Sequence, residues 1–120
     1  MTQPQDDRRR DPRLAEQCHV AYREIREGET KRKTTDADMV NLSASGICLS
    51  SPEPVAPDTH LALEVGLEGE PAPVMAIGRV VWCDRDADQY RIGICFTWLR
   101  EEDREALAVI ADFVESRLQP

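Results

Sequence analysis

The feature that most constrains the fold is a change in hydrophobic period near residue 96. Before it, larger apolar residues alternate with small or polar ones in several short runs, such as 18–23, 61–65 and 90–96. From Glu101 to Leu118 the apolar residues recur at helical spacing instead. Alternation predicts β-strands and the longer period predicts an amphipathic helix. Several strands followed by one helix indicate a mainly β fold, a closed or nearly closed antiparallel barrel with the helix packed against it.

The length and the hydropathy pattern predict one small domain. A chain of 120 residues buries about two thirds of its unfolded surface, which suffices for one modest core. No apolar run approaches the roughly 20 residues that span a bilayer, so we expect no membrane insertion. The N-terminus is polar and charged, unlike a secretory signal, which predicts a cytoplasmic protein. We expect residues 1–7 to be disordered and residues 8–118 to form the domain.

The cysteines do not predict a metal site. They lie at Cys18, Cys48, Cys83 and Cys95, with no CxxC pair and no close pair of histidines. Zinc sites have tighter ligand spacing. The sequence therefore predicts no metal, and four reduced cysteines that serve as small apolar residues of strands.

Charge is distributed unevenly along the chain, and this distribution limits the class of ligand. The net charge is −8. Residues 1–35 hold nine Lys or Arg against seven Asp or Glu (+2), whereas residues 36–120 hold six against sixteen (−10). An acidic body disfavours binding to a nucleic-acid polymer. A local cluster of arginines could still hold a compact anion.

The basic cluster near the N-terminus contains an RxxxR motif, formed by Arg9 and Arg13. Pro12 pushes Asp11 toward an extended conformation and argues against a helix there. Guanidinium groups form paired hydrogen bonds with phosphate and with the O6/N7 edge of guanine. The alternative interpretation is a solvated run of charge beside a disordered terminus.

A second motif, [DN]xSxxG, covers residues 41–46 and reads Asn-Leu-Ser-Ala-Ser-Gly. Alternation predicts that Met39, Asn41 and Ser43 share one face of a strand, while Val40 and Leu42 enter the core. Asn41 and Ser43 would then project outward side by side. An amide and a hydroxyl can hydrogen-bond a guanine edge. The alternative is local turn chemistry before a glycine that supplies a tight bend.

The two motifs, in this order and ahead of alternating strands, resemble the two halves of the cyclic di-GMP site of the PilZ domain family. Residues 76–82 and 90–96 look like the late strands of that family, and 101–118 like its C-terminal helix. The resemblance implies a six-stranded antiparallel (split) β-barrel with a C-terminal α-helix. It also implies ligand-binding roles for a set of six residues, namely Arg8, Arg9, Arg13, Asn41, Ser43 and Gly46.

Within that set the resemblance implies different roles. Arg9 and Arg13 would contact phosphate and guanine, Asn41 and Ser43 a guanine edge, and Gly46 would hold the turn. Arg8 lies at a position thought to influence whether one or two nucleotides bind. With Asn41 in place of Asp, the strand offers a neutral acceptor, which affects affinity.

The expected function is that of a cyclic di-GMP receptor, or adaptor, that orders its arginine arm on the ligand and signals to a protein partner in trans. The alternative is a PilZ-like protein-interaction module, related to pili or motility, that does not depend on nucleotide. The broad apolar face of the helix is also compatible with a homodimer. We expect no enzyme and no cofactor, since GxSxG, P-loop and GxGxxG patterns are all missing from the sequence.

Overall fold

The computed structural model of the chain describes residues 18–26, 29–30, 33–67 and 72–118. Its strands are β1 (Cys18–Arg26), β2 (Glu29–Thr30), β3 (Thr35–Leu42), β4 (Gly46–Ser51), β5 (His60–Leu67), β6 (Val74–Asp86) and β7 (Gln89–Leu99). They are followed by the helix α1 (Asp103–Leu118). Within those ranges, no helix combines the length and the apolarity needed to cross a membrane.

Six of the strands close into an antiparallel barrel. The neighbours run in the order β1, β3, β4, β7, β6 and β5, and β5 pairs back onto β1 over eight residues. The two-residue β2 adds only a short ladder to the end of β1. The predicted architecture, a six-stranded antiparallel barrel followed by a helix, is confirmed. Closure leaves each of these six strands with two hydrogen-bonded neighbours, so no edge of the barrel stays unpaired.

The core fills the barrel with the inward-facing residues that alternation predicts. On β5, Leu61, Leu63 and Val65 are fully buried, and on β7 Ile92 and Ile94 are buried as well. Successive strand residues point to opposite faces, so each of these runs lines the interior.

The helix α1 packs against β3 and β6. These two strands lie on opposite sides of the six-membered ring, so a helix that contacts both must cross one end of the barrel. Among its described side chains, the buried apolar ones are Leu107, Ile110 and Val114, which belong to the same core as the strands. The predicted apolar face is narrower than expected, because Val109 is 57% exposed.

The first helical residue attaches α1 to the barrel. Asp103 is buried, and its Oδ2 accepts a hydrogen bond from the backbone nitrogen of Met75 in β6 at 3.3 Å. The same oxygen accepts from Arg100 Nε at 3.0 Å. A carboxylate in the first turn also interacts favourably with the helix dipole.

The β6–β7 hairpin is longer than the sequence predicts. The run of charged residues over 84–88 is typical of a loop, but β6 continues to Asp86 and β7 begins at Gln89. Only Ala87 and Asp88 form the turn, and Ala87 has a φ of 59°. Two-residue hairpin turns need positive φ because their twist must match that of the flanking strands.

Candidate functional site

The [DN]xSxxG motif spans the end of β3, the following turn and the start of β4. Asn41 and Ser43 are both exposed, as predicted. Asn41 Oδ1 accepts a hydrogen bond from the backbone nitrogen of Leu42 at 2.8 Å, which holds the side chain against its own strand. In the turn, Ser43 N donates to Gly46 O at 2.9 Å, and the Ser43 and Ser45 hydroxyl oxygens lie 3.2 Å apart.

The reason that Asn41 faces outward differs from the predicted one. Simple alternation placed Met39 on the face of Asn41 and Val40 in the core, and both assignments are wrong. Met39 is fully buried and Val40 only partly. The β3–β4 register shifts between Met39 and Asn41, which marks a β-bulge. The extra residue lets Met39 and Leu42 both point inward while Asn41 points outward.

Gly46 is needed at this position for a reason that the sequence did not indicate. We expected it to supply backbone freedom for the bend, but its φ is not in the left-handed region. A Cβ at Gly46 would instead lie 2.3 Å from the carbonyl oxygen of Ile94 in β7. The missing side chain therefore allows β4 to begin in close contact with the neighbouring strand.

A row of paired residues runs from Asn41 across four strands. Asn41 in β3 lies opposite Cys48 in β4, which lies opposite Gly93 in β7, which lies opposite Trp82 in β6. Directly paired residues share a face, so this row continues on the outside of the barrel. A neighbouring row on the same face pairs Gly46 with Cys95.

Together these rows form a shallow depression of about 310 Å³, which we call the trough. Its floor consists of small residues and its rims consist of larger ones. The floor residues are Gly46, Cys48, Gly93 and Cys95, and the rims are formed by Asn41 and Ser43 on one side and by Val81 and Trp82 on the other. The trough therefore combines an amide and a hydroxyl with an aromatic ring on opposite sides of a low floor.

Trp82 is the residue of the trough that sequence reasoning did not identify as part of the site. Its side chain is 39% exposed, and its indole lies so close to Gly93 that a Cβ there would be 2.3 Å from the ring. A partly exposed indole at the rim offers a flat surface on which a base could stack. The sequence placed Trp82 and Gly93 in two predicted strands, over residues 76–82 and 90–96. That the two residues lie opposite each other is known only from the register between β6 and β7.

Two arginines near the trough each form an ion pair with a carboxylate. Arg79, which is opposite Cys95, lies 3.1 Å from Asp58, measured from Nη1 to Oδ1. Arg91 Nη2 in β7 lies 3.3 Å from Asp86 Oδ2. Burial raises the pKa of the Cys48 thiol, and the positive charge of Arg91 partly opposes that rise. A doubly charged anion in the trough would therefore need further positive charge.

The arginines predicted to supply such charge, Arg8, Arg9 and Arg13, lie outside the described residues. The strand that follows them in the sequence is β1, which begins at Cys18. In the β1–β3 pair, Val20 lies opposite Ala37 and Tyr22 opposite Thr35. Because the pair is antiparallel, the start of β1 lies toward the end of β3 that leads to Asn41. β1 thus begins at the same end of the barrel as Asn41 and Ser43.

A second depression, of about 250 Å³, lies at the opposite end of β3 and β4. Tyr22, Thr35 and Val55 line its inner part, and an ion pair between Lys33 and Glu53 lies at its edge. The Tyr22 hydroxyl is 2.7 Å from Ser51 Oγ, so this polar group is satisfied within the barrel. Neither sequence motif contributes to this depression. Across the described ranges, no group of three or more His, Cys, Asp or Glu is arranged to hold a metal ion.

The comparison with protein families is the one that identifies a family for the chain. The family model for the PilZ domain matches residues 7–113. No curated protein sequence matches the chain. Among solved structures, the Bacillus subtilis inhibitor of motility (MotI/DgrA) is similar, with a TM-score of 0.66 and 14% identity over 87% of this chain. This chain spans about half, 49%, of that protein's chain.

A second similar structure is the PilZ domain, with c-di-GMP, of YcgR from Escherichia coli. It has a TM-score of 0.60 and 13% identity over 82% of this chain and 83% of the other. At such low identity these two structures bear on the fold alone, whereas the family model covers most of the sequence. The match to that model over residues 7–113, together with the six-stranded barrel, shows that the chain belongs to the PilZ domain family.

Proposed function

We propose that this protein is a cytoplasmic receptor for cyclic di-GMP. The single observation that supports this most strongly is the trough, in which Asn41 and Ser43 face Trp82 across a floor of small residues. PilZ domains are typically ligand-binding adaptors and not enzymes, and the similar YcgR domain was solved with c-di-GMP. A barrel that presents hydrogen-bonding groups and an aromatic ring on one outer face suits a ligand with planar bases.

In this proposal each part of the ligand contacts a protein side chain of suitable chemistry. Guanine presents N1–H and N2–H donors, which the amide oxygen of Asn41 and the hydroxyl of Ser43 can accept. A base lying over the trough can stack on the indole of Trp82, a contact worth about 1–3 kcal/mol per base. The two phosphates need cations, and Arg9 and Arg13 provide them from the arm that precedes β1 in the sequence.

The arm also explains how binding would be transmitted. Residues 8–13 bring positive charge to a body whose residues 36–120 carry −10. In our proposal the dianionic ligand draws the arm across the trough, so that the arm, the ligand and the barrel together form a new surface. The ordering of the arm offsets part of the binding energy. A protein partner in trans would then bind this composite surface.

Isothermal titration calorimetry of the full chain with cyclic di-GMP tests the proposal. We expect saturable binding that weakens by about 1–3 kcal/mol in each of Arg9→Ala, Arg13→Ala and Asn41→Ala. Arg104→Ala is the matched control, because this exposed arginine lies on α1 and pairs with Glu101. Cyclic di-AMP is the ligand control, since adenine lacks the O6 acceptor and the N1–H donor of guanine.

Two results would overturn the proposal. The first is no heat of binding from the unmodified chain, which would favour the alternative of a nucleotide-independent interaction module. The second is wild-type affinity in all three variants, which would show that the nucleotide binds elsewhere. Hydrogen exchange of residues 8–13 with and without ligand tests the arm separately, and we expect protection that appears only with cyclic di-GMP.

A further inference from the structure

Two of the four cysteines lie on the floor of the trough. Cys48 in β4 and Cys95 in β7 both line it, and both are partly accessible to solvent. The other two cysteines differ from them. Cys18 is 1% exposed, and Cys83, although partly accessible, packs against the core from β6 and does not line the trough. The prediction that all four are apolar strand residues is therefore confirmed for their placement in strands, but two of them face the outside of the barrel.

A glycine on the adjacent strand lies beside each of these two thiols. Cys48 lies opposite Gly93 and Cys95 lies opposite Gly46, so each sulfur has a neighbour on the adjacent strand that carries no side chain. At both positions a glycine is needed for close approach, to Trp82 in one case and to the Ile94 carbonyl in the other. With these small residues on the floor of the trough, both cysteines are partly accessible to solvent.

The two thiols are badly placed to form a disulfide with each other. Because Cys48 is opposite Gly93, it is diagonal to Cys95, and diagonal positions on paired strands are about 7–8 Å apart. A disulfide needs its Cβ atoms about 3.5–4.5 Å apart. All four cysteines are free in the structure. An oxidising partner for these sulfurs must therefore come from outside the chain.

We propose that Cys95, with Cys48 as a secondary position, is a site of mixed-disulfide formation with a low-molecular-weight disulfide, and that the adduct closes the trough to nucleotide. In this step the Cys95 thiol releases its proton to solvent, and the thiolate attacks one sulfur of the external disulfide. A new S–S bond forms as the old one breaks, and the leaving thiolate takes up a proton. The coupling to nucleotide rests on the proposed function.

Cys95 is the favoured position because the two thiols have different surroundings. The thiolate is the reactive form, and burial raises the pKa of Cys48, which lowers its thiolate fraction at neutral pH. Cys95 makes a weak contact of 3.7 Å from Sγ to its neighbour's carbonyl oxygen, Phe96 O. Such a contact is readily given up when the sulfur reacts.

We expect the adduct on Cys95 and the nucleotide to exclude each other from the trough. A peptide-sized adduct on Cys95 would occupy a floor that measures only about 310 Å³ in all, where the bases are proposed to lie. Nucleotide bound over the floor would, in turn, cover the sulfur and slow its modification. Two ligands that compete for one site must show this reciprocity.

The test uses the full chain with oxidised glutathione as the probe. The protein is treated, the modified cysteine is identified by peptide mass spectrometry, and cyclic di-GMP is titrated calorimetrically before and after treatment. The same two titrations are made on three variants, Cys95→Ser, Cys48→Ser and Cys83→Ser. The affinity of each variant after treatment is compared with its own affinity before treatment, so that any effect of the substitution itself cancels. Cys83→Ser is the matched control, since this residue lies on a strand but outside the trough.

We expect glutathionylation first at Cys95, loss of nucleotide binding after treatment, and recovery with dithiothreitol. Cys83→Ser should lose binding on treatment as the wild type does, and Cys95→Ser should retain most of its own affinity. Nucleotide added beforehand should slow modification of the wild type. Full affinity in a chain modified at Cys95, or preferential modification of Cys18 or Cys83, would overturn the inference while leaving the receptor proposal standing. No binding by the untreated chain would overturn both.

Discussion

The smallest residues of the barrel decide the shape of its outer face. Gly46 and Gly93 are both positions where a Cβ would lie 2.3 Å from a neighbouring atom. At Gly46 that atom belongs to backbone, so an added methyl would force β4 and β7 apart. At Gly93 it belongs to the indole of Trp82, which is partly exposed and can move. Replacing Gly46 should therefore disturb the backbone of two strands, whereas replacing Gly93 should displace a side chain.

We expect Gly93→Ala to displace Trp82 from the rim of the trough and to weaken cyclic di-GMP binding by about 1–3 kcal/mol, the value of one stacked base. Stability should fall by less than about 1 kcal/mol, because the indole can rotate into solvent. Fluorescence of Trp82 in a Trp98→Phe background measures the displacement, and calorimetry measures the affinity. Gly66→Ala is the control, since its nearest atoms lie at an ordinary 3.8 Å. Unchanged emission and affinity in Gly93→Ala would contradict this role of Trp82.

Elements are attached to the barrel by a few polar contacts and by local backbone geometry. The helix begins at Asp103, whose buried carboxylate accepts from a β6 backbone nitrogen and from Arg100. The β6–β7 hairpin turns at Ala87, which adopts a φ of 59° without being a glycine. The hydrogen bonds of Asp103 stabilise the fold. The positive φ of Ala87 costs conformational free energy, which a substitution can remove.

Replacing Asp103 by Ala should lower the free energy of unfolding by about 1–3 kcal/mol, because it removes charge-assisted hydrogen bonds and leaves the Met75 backbone nitrogen unpaired. Urea denaturation followed by circular dichroism gives the value. Glu102→Ala is the matched control: its carboxylate is 71% exposed and lies 3.7 Å from Arg100, and exposed pairs of this kind contribute little. Equal losses in the two variants would show that α1 is not anchored through Asp103.

At the hairpin, Ala87→Gly should raise stability by about 0.5–1 kcal/mol. Left-handed backbone costs an L-residue about 1–2 kcal/mol, which exceeds the extra entropy that glycine loses on folding. The midpoint of thermal unfolding reports the change. The same substitution at Ala56, which is exposed and has no positive φ, should be neutral or destabilising. A decrease in stability for Ala87→Gly would contradict the proposed strain at this turn.

At the scale of the whole molecule, closure of the barrel buries Cys18 and Tyr22, both of which ionise at alkaline pH. Burial raises the pKa of Cys18 from 9.0 to about 11. Burial also raises the pKa of Tyr22, although hydrogen bonds to Ser51 and Thr35 partly oppose the rise. Both groups are neutral when protonated, so the folded state holds these protons more tightly than the unfolded chain does.

Stability should therefore be constant with respect to these groups below about pH 9 and should fall as pH rises toward 11. A rise of two pKa units in Cys18 corresponds to a loss of roughly 3 kcal/mol across that window. Urea denaturation at intervals from pH 7 to 11 measures the slope. Cys18→Ala lowers stability at every pH by leaving a small cavity, but its slope should be shallower. If the free energy of unfolding of Cys18→Ala fell with pH as steeply as that of the wild type, Cys18 would not be a cause of the alkaline loss of stability.

The alternation of apolar residues over β5 and β7 predicted the strands and their buried faces correctly, because burial of every second side chain is written directly into the order of residues. The change to helical spacing after residue 96 predicted α1 in the same way. Asn41 and Ser43 were predicted to face outward, and they do. The strands and the helix are local properties, which depend on neighbours along the chain and therefore leave a signal in the sequence. The outward position of Asn41 depends instead on the β-bulge against β4.

Only the tertiary structure decided how those elements meet. The bulge at Val40, the close approach at Gly46, and the row that joins Asn41 to Trp82 all depend on which residue of one strand lies opposite which residue of another. Register between strands distant in sequence is set by packing of the whole core, so no local pattern records it. The sequence alone thus determined the barrel, the helix and two exposed polar groups. Their assembly with an aromatic rim and two accessible thiols came from the closure of the fold.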